Sequence, residues 1–226
     1  KLDFSGKTVL VTGASRGIGR ALALGFRDAG ASVYGTGTKA ESVAWMAGEK
    51  IEGRAVDVTD AGKMSAVIQE ISARHGTLDV LVNNAGIATN TPASAIKDAD
   101  MDRMIDVNFK GVFRACQAYY KTQKKTGSGV IVNVASILGL VGFPLSAVYC
   151  GTKGAIIQMT KALAIEWAGS GIRVNALCPG FVDTDMTEMI KQKESLMEWY
   201  KSVIPMKRLG KPSEMVGPTL FLASDA

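Results

Sequence analysis

The chain has 226 residues, of which 47% are hydrophobic and 21% are charged, with a formal net charge of +5 and a pI of about 9.1. This is the composition of a globular protein with a large core, and no apolar run approaches the roughly 18 residues that a membrane span needs. The basic residues are scattered, so neither nucleic acid nor a membrane is predicted as a partner. The three cysteines follow no metal-binding spacing, so neither a disulfide framework nor a metal site is expected, and free thiols indicate a reducing, cytoplasmic location.

Apolar, strand-like runs alternate with longer amphipathic stretches along the chain. The first residues, KLDFSGKTVLV, lead directly into a strand and are not predicted to be a signal peptide. Strands are predicted at 8–12, 31–36, 53–58, 78–86, 129–136 and 172–180, and helices at 17–29, 61–74, about 101–124, about 149–168 and in the remainder. Strands that are apolar at nearly every residue and separated by helices indicate a parallel sheet covered on both faces, in one doubly wound α/β domain over residues 1–226.

A glycine-rich loop follows the first predicted strand. The sequence TGASRGIG at Thr12–Gly19 places Gly13, Gly17 and Gly19 in a G-x-x-x-G-x-G spacing. Glycines there allow a tight turn and a close approach of the backbone to a pyrophosphate at the helix N-terminus. A glycine-rich turn before a helix is common, but in the first βα turn of a doubly wound sheet it indicates nucleotide binding.

Four polar side chains lie at positions that either a catalytic or a structural role could explain. Tyr149 and Lys153 in YCGTK are one helical turn apart, either as a surface pair or as a device that lowers the pKa of the phenol. Ser136 ends the fifth predicted strand, where ligands bind in such sheets, although a serine there also caps helices. Asn108 lies inside a predicted helix, where its side chain is unfavourable unless it makes a structural or functional hydrogen bond.

The order of these features resembles the classical short-chain dehydrogenases/reductases. The matching elements are TGASRGIG, NNAG at Asn83–Gly86, Asn108, Ser136, Tyr149-x-x-x-Lys153 and Pro179-Gly180, which together span essentially the whole chain. VTGASRGIGRA, VLVNNAG and NALCPGFVDTDM are most similar to the 3-oxoacyl-[acyl-carrier-protein] reductase branch. The resemblance implies a Rossmann-like fold and hydride transfer between a nicotinamide and a carbonyl or carbinol carbon. Members of the family usually continue past FLASDA into a further strand and a glycine-rich tail, whereas this sequence stops at Ala226.

The resemblance implies that Asn108, Ser136, Tyr149 and Lys153 are the catalytic residues. Tyr149 would be the general acid/base, because a cation about 4 Å away can lower a phenol pKa by up to about three units. Lys153 would supply that charge and also bind the nicotinamide ribose. Ser136 would hold the substrate oxygen, and Asn108 would bind a water that links it to the lysine in a proton relay.

The predicted cofactor is NADP(H), with NAD(H) as the alternative. The stretch VYGTGTK at Val33–Lys39 lacks the carboxylate that binds the 2′-hydroxyl in NAD-preferring folds. Arg16 and Thr38 would instead form a 2′-phosphate pocket, with Lys39 as a further candidate, unless Arg16 is merely solvated. The cofactor-binding residues expected from the loop and from the resemblance are Gly13, Ser15, Arg16, Gly17, Ile18, Gly19, Thr38, Asp57, Val58, Asn84, Ala85, Gly86, Tyr149, Lys153, Pro179, Gly180, Val182 and Thr184.

The segment 181–210 is predicted to be a substrate lid, because the family uses the corresponding segment in this way. Its apolar residues suit a substrate with an aliphatic portion, or they simply pack the lid onto the body. These residues are Met186, Met189, Leu196, Met197, Trp199 and Met206.

A 3-oxoacyl thioester is the leading substrate expectation, with acyl carrier protein as the candidate carrier. Carrier-protein reductases carry two arginines near the active-site mouth, and Val130 and Ser170 stand in those places here, with Lys124, Lys125 and Arg173 close in sequence. The alternatives are a small free ketone, alcohol or sugar acid, and a non-catalytic nucleotide sensor on the same fold.

A homo-tetramer or dimer is expected, because the long helices at 101–124 and 149–168 carry apolar residues on more faces than one sheet covers. The interface candidates are Phe109, Phe113, Tyr119, Ile157 and Trp167.

Overall fold

One six-stranded parallel sheet forms the centre of the protein, with strand order β3-β2-β1-β4-β5-β6. The computed structural model describes residues 2–188 and 192–226. The strands are β1 Thr8–Val11, β2 Ser32–Gly37, β3 Glu52–Ala55, β4 Val80–Asn83, β5 Gly129–Val134 and β6 Ile172–Leu177. This is the doubly wound arrangement predicted from the alternation of strands and helices, and it confirms the Rossmann-like fold that the resemblance implies.

Helices connect the strands and cover both faces of the sheet. They are α1 Gly17–Asp28, α2 Ala40–Val43, α3 Ala61–His75, α4 Asp98–Ile105, α5 Val112–Gln123, α6 Ala147–Trp167, α7 Glu194–Val203 and α8 Val216–Ala223. Short 3₁₀ turns lie at Ala44–Glu49, Ala93–Ala95, Ile137–Gly139, Ala168–Ser170, Asp185–Thr187 and Pro212–Met215. Within the described residues, none of these helices has both the length and the apolar character needed to cross a membrane.

Two buried clusters, one on each face, fix the sheet between its helices. One face packs Ile68 of α3, Tyr119 of α5 and Leu163 of α6 against the strands. The other packs Phe26 of α1 and Ala223 of α8. Because every residue of β1, β4 and β5 is buried, these strands read as continuous apolar runs rather than alternating ones.

Strand order reverses at β1, which pairs in parallel with both β2 and β4. The carboxyl ends of all six strands lie at the same edge of a parallel sheet, and the crevice at such a reversal is where doubly wound folds bind ligands. The glycine loop after β1 and the NNAG segment after β4 therefore meet at this point.

The helix predicted across 101–124 is not one continuous α-helix. It consists of α4 and α5, joined by a π-helical segment at Asp106–Gly111 that contains Asn108. Single π-helical turns inserted in α-helices are frequently found at functional sites. The apolar periodicity of the sequence does not reveal this π-helical insertion, because the periodicity continues through Asp106–Gly111.

Two of the predicted interface residues belong to the interior of the chain. Tyr119 is fully buried, and its hydroxyl donates to the Asp79 carbonyl at 2.7 Å. Trp167 is 4% exposed and stacks on Tyr120. Phe113 does lie on the surface, and the most exposed large apolar side chain of α6 is Ile165.

The segment 181–210, predicted to be a lid, packs against the loop before α6 through aromatic rings. Phe143 of that loop contacts the rings of Phe181, Trp199 and Tyr200. Met186 and Met206 are exposed, and Met189 lies outside the described residues. Aromatic packing therefore fastens the described part of this segment to the body.

Candidate active site

A cavity of about 450 Å³ opens at the carboxyl edge of the sheet, between the glycine loop, the ends of β4 and β5, and the segment after β6. Eighteen of the predicted site residues line it: Gly13, Ser15, Arg16, Gly17, Ile18, Gly19, Thr38, Asp57, Val58, Asn84, Ala85, Gly86, Ser136, Tyr149, Pro179, Gly180, Val182 and Thr184. Asn108 and Lys153 lie behind this lining, because both side chains are buried. Lys39 is not part of the lining and instead precedes α2.

Close backbone approaches hold the glycine loop against the end of β4. Gly13 has a φ of +62°, and a Cβ there would lie 2.7 Å from the Cα of Ala85. A Cβ on Gly19 would overlap the Gly13 carbonyl oxygen and the Asn84 side-chain amide. That amide donates to the carbonyls of Thr12 and Gly13, both at 3.0 Å. Only glycine fits these two positions, which leaves the loop backbone facing the cavity.

The first residues of α1 lie in the wall of this cavity. Arg16 precedes the helix, and among the described residues no side chain caps it and no acidic residue stands in its first turn. The first N–H groups of a helix are unsatisfied and carry partial positive charge. The loop therefore fits a phosphate or pyrophosphate group, as expected from TGASRGIG.

Arg16 reaches across the mouth of the cavity. Its guanidinium lies 3.2 Å from the carboxylate of Asp185, and the two side chains are 75% and 64% exposed. A Cβ on the next residue, Gly17, would be 3.3 Å from the Thr184 side chain. An exposed ion pair contributes at most about 1 kcal/mol, so a phosphate can replace Asp185 as the partner of Arg16 at little cost.

Ser136 is fixed where β5 ends. It has an extended backbone, its Oγ accepts from the Leu138 N–H at 3.1 Å, and it is 7% exposed. The next residue, Ile137, donates its N–H to the Pro179 carbonyl at 2.9 Å. Ser136 is thus a cap, as one reading of the sequence held, and it also faces the cavity beside Tyr149.

Tyr149 and Lys153 occupy the first two turns of α6, as the i, i+4 spacing predicts. The Lys153 ammonium lies 5.8 Å from the centre of the Tyr149 ring. It is 5% exposed and donates to the Val134 carbonyl at 2.8 Å. The lysine is therefore an interior group anchored to the end of β5, and not a member of a surface pair.

The electrostatics of this pair differ from the sequence expectation. Burial raises the pKa of the Tyr149 phenol above its ordinary value, and the hydrogen bond with Ser136 offsets part of that rise. Burial also lowers the pKa of Lys153 to about 8, since its charged form is poorly solvated. The pairing with Lys153 led us to expect a net lowering of the Tyr149 pKa, but in the protein without a cofactor this pKa is raised overall, because desolvation is the largest effect.

Asn108 ties the π-helical segment to the chain after β4. Its Oδ1 accepts from the Ile87 N–H and its Nδ2 donates to the Ile87 carbonyl, both at 2.8 Å. Nδ2 also donates to Thr152 Oγ1 at 3.2 Å. A Cβ on Gly86 would lie 3.4 Å from Asn108 Oδ1 and 3.5 Å from Lys153 Nζ, so these two groups flank the same glycine. The described contacts give Asn108 a structural role, and the proton relay remains a prediction.

Several residues that line the cavity or support its lining were not predicted from the sequence. Thr12 Oγ1 accepts from the N–H groups of Asn84 and Ala85, and Thr36 Oγ1 accepts from that of Gly13. These threonines end or follow buried strands, and their position at the carboxyl edge was the available signal. Further lining residues that the sequence did not indicate include Ile87, Ala88, Arg103, Val107 and Thr187.

The described part of the chain contains no set of side chains that could bind a metal ion. Residues 2–188 and 192–226 contain no group of three or more His, Cys, Asp or Glu side chains that could hold an ion. All three cysteines are free, with Cys116 buried and Cys150 and Cys178 half-buried.

Comparison with known proteins gives consistent matches over the whole chain. A family model described as short chain dehydrogenase matches residues 7–195. The chain is 40% identical to the 3-oxoacyl-[acyl-carrier-protein] reductase of Thermotoga maritima, over 99% of this chain and 93% of that protein. It is 37% identical to the 2-dehydro-3-deoxy-D-gluconate 5-dehydrogenase of Pseudoalteromonas atlantica, over 100% of this chain and 92% of that protein.

A solved structure with a similar fold contains a bound nucleotide. It is a gluconate 5-dehydrogenase from Burkholderia cenocepacia in complex with NADP and tartrate. The TM-score is 0.94 at 33% identity, covering 99% of this chain and 90% of that one.

Proposed function

Because this chain belongs to the short-chain dehydrogenase family, we propose that it is an NADPH-dependent oxidoreductase that interconverts a ketone and a secondary alcohol. The observation that carries this proposal is a convergence: Ser136 and Tyr149 face the cavity into which the N-terminus of α1 also opens. A hydroxyl, a phenol and a phosphate cradle in one cavity are what hydride transfer to a carbonyl requires of a protein. A nucleotide sensor would not need the phenol or the buried lysine.

In the reduction direction the protein supplies a proton and orients the carbonyl. Bound NADPH supplies the hydride. The Ser136 hydroxyl binds the carbonyl oxygen, and the Tyr149 phenol donates its proton to that oxygen as negative charge develops. Since burial raises the pKa of Tyr149, the phenol carries at neutral pH the proton that it donates in this direction. Lys153, held by the Val134 carbonyl, orients the site from behind and favours the phenolate that remains.

The cofactor is NADP(H), and the proposed selectivity comes from Arg16 and Thr38. Thr38 directly follows β2, where NAD-preferring folds carry a carboxylate. The exposed Asp185 is the only partner of Arg16 among the described residues. A planar guanidinium binds a phosphate through two parallel hydrogen bonds. The loop glycines and Asn84–Gly86 would hold the pyrophosphate and adenosine side, with Asp57 and Val58 beside the adenine. Pro179, Gly180, Val182 and Thr184 would hold the nicotinamide end.

The leading substrate is a 3-oxoacyl thioester, and a small free ketone, alcohol or sugar acid is the alternative. The relative from Thermotoga maritima supports the first and the gluconate enzymes support the second. Delivery by acyl carrier protein has less support from the basic residues. Val130 is buried in β5, and Arg173 donates to the carbonyls of Leu222 and Ser224 at 2.9 and 2.7 Å. An acidic carrier would therefore have Lys124 and Lys125 as its basic contacts near these positions.

Turnover of a substrate panel with both cofactors tests the proposal. NADPH oxidation should be measured with acetoacetyl-carrier protein, acetoacetyl-CoA, free ketones and 5-keto sugar acids, and again with NADH. We expect NADPH-dependent turnover of at least one ketone, with a higher kcat/KM for the thioesters. If none of these substrates is turned over with either cofactor, the oxidoreductase proposal is contradicted. If kcat/KM for the carrier thioester is no higher than for a simple ketone, delivery by acyl carrier protein is excluded.

A further inference from the structure

Arg103 of α4 has a free guanidinium in the wall of the large cavity. Among the residues that the structure describes, it is the only arginine without an ion pair, a hydrogen bond or a ring contact, since every other arginine has at least one. It is exposed and lines the same cavity as the glycine loop. Its guanidinium is therefore available to a molecule that fills this cavity.

The helical stretch that carries Arg103 runs beside the segment after β3. Val107, one turn further along, lines the same cavity. A Cβ on Gly111, four residues later, would lie 3.1 Å from both Cγ2 and the carbonyl oxygen of Val58. Because the helical stretch lies this close to Val58, Arg103 and Val107 border the end of the cavity that Asp57 and Val58 also line.

The order of the strands decides which part of a dinucleotide reaches this end. The glycine loop that fits a pyrophosphate follows β1, and Ser136, which faces the reacting carbonyl, follows β5. Asp57 and Val58 follow β3, on the opposite side of β1 from β5 in the sheet. A dinucleotide with its pyrophosphate at β1 and its nicotinamide at β5 therefore extends its second base towards β3.

This end of the cavity suits a planar base better than an anion. Val58 and Val107 supply apolar side chains, and Asp57 supplies a carboxylate that accepts from the N–H and the hydroxyl of Thr59 at 2.9 and 2.8 Å. The carboxylate would repel a phosphate, whereas it can accept from an exocyclic amino group. A guanidinium stacks on the face of an aromatic ring. Stacking can leave the edge of an exposed guanidinium such as that of Arg103 in water.

We propose that Arg103 stacks on the purine base of the bound cofactor and strengthens the binding of NADPH and NADH alike. The inference rests on the proposed nicotinamide-dependent function and deepens it by one contact. This contact differs from that of Arg16, which would read the 2′-phosphate and so favour NADPH alone. Arg103 takes no part in the proton transfer.

Cofactor binding to the intact protein, measured without any ketone, tests the proposal. Arg103→Met keeps an unbranched side chain but removes the guanidinium plane. We expect the dissociation constants for NADPH and NADH, measured by cofactor fluorescence, to rise by the same factor, about threefold to tenfold. The dissociation constant for 2′-phospho-ADP-ribose, which lacks the nicotinamide, should rise by that factor in calorimetry. The increase should persist from about 20 to about 500 mM salt, because stacking acts at contact distance whereas long-range attraction is screened.

Arg114→Met is the matched control. Arg114 lies on α5, donates to the Thr59 carbonyl at 3.4 Å and is not part of the cavity lining. It carries the same charge change, and its dissociation constants should stay within about 1.5-fold of the wild type.

Four results would overturn the stacking proposal: unchanged binding of NADPH by Arg103→Met, weakening confined to NADPH, unchanged binding of 2′-phospho-ADP-ribose, or an equal weakening in Arg114→Met. An effect of Arg103→Met that disappears at high salt would also overturn it, since it would be a bulk charge effect. A wild type that binds NADPH but reduces no ketone would overturn the proposed function and leave this inference standing. A wild type that binds neither cofactor would overturn both.

Discussion

At the scale of single residues, burial decides the behaviour of the groups that carry the proposed chemistry. Tyr149 and Lys153 are each disfavoured in their charged form, because burial desolvates both side chains. The sequence shows their spacing but not their burial, so it could not reveal that desolvation is the largest effect on both pKa values. A buried lysine beside a protonated phenol is suited to reduction near neutral pH.

Lys153 should make the stability of the protein depend on pH in a predictable direction. Its pKa falls from 10.5 in the unfolded chain to about 8 in the folded protein. Between these values the unfolded state binds more protons, so the free energy of unfolding rises with pH. Between pH 7 and pH 9 we expect the wild type to gain about 1 kcal/mol relative to Lys153→Met.

Urea denaturation at pH 7, 8 and 9 measures this difference. Lys161→Met is the control, because Lys161 lies on the exposed face of the same helix, and it should follow the wild type at each pH. If the free energy of unfolding changed equally with pH in the wild type and in Lys153→Met, burial would not have lowered the pKa of Lys153.

Arg16 should distinguish the two nicotinamide cofactors. Arg16→Ala should raise the KM for NADPH about tenfold or more while leaving that for NADH nearly unchanged, since hydrogen bonds to a charged group contribute about 1.5–3 kcal/mol. Steady-state kinetics with both cofactors tests this. Arg20→Ala is the matched control, because its guanidinium stacks over Trp45 at 4.3 Å. Equal losses with NADPH and NADH would exclude Arg16 as the reader of the 2′-phosphate.

At the scale of elements, loops and helix starts determine where the site residues lie. The glycine loop could be predicted from the spacing of its glycines, because Gly13 and Gly19 stand where the loop closely approaches neighbouring backbone. The π-helical segment at Asp106–Gly111 was not, because apolar periodicity does not register one extra residue in a turn. The unfavourable position of Asn108 was the only sign of it, and the structure explains that position by the two hydrogen bonds to Ile87.

Two glycine substitutions should have opposite effects on stability. Gly19→Ala should lower the free energy of unfolding by about 1–3 kcal/mol, since its Cβ would overlap the Gly13 carbonyl oxygen. Gly151→Ala in α6 should raise it by about 0.5–1 kcal/mol, because no atom lies within 4 Å of the added Cβ and alanine favours the helix. Chemical denaturation of both variants measures the effects. A tolerated Gly19→Ala would mean that the loop does not require this close packing.

At the scale of the whole molecule, alternation of buried runs and amphipathic stretches was sufficient to predict the parallel sheet and its binding edge. Which side chains remain on the surface could not be predicted, because that depends on how helices pack. Tyr119 and Trp167 have the same apolar character as Phe113, yet they lie inside the chain while Phe113 does not.

We expect a homo-tetramer or dimer in solution. Phe113 on α5 is 36% exposed and Ile165 on α6 is 81% exposed, which leaves apolar surface that a second copy would cover. Small-angle scattering should give a mass of two or four chains, and Ile165→Glu should reduce it. A monomeric wild type would refute the association.

The most direct test of the central claim is Tyr149→Phe, assayed for ketone reduction and for NADPH binding in parallel. Removing the phenolic oxygen removes the proton donor while the ring continues to pack, so kcat should fall by at least a thousandfold, within the range of about 10²–10⁴ ascribed to general acid catalysis. The dissociation constant for NADPH, measured by cofactor fluorescence, should stay within about threefold of the wild type. Residual turnover within tenfold of the wild type would contradict the assignment of Tyr149 as the proton donor and, with it, this account of the active site.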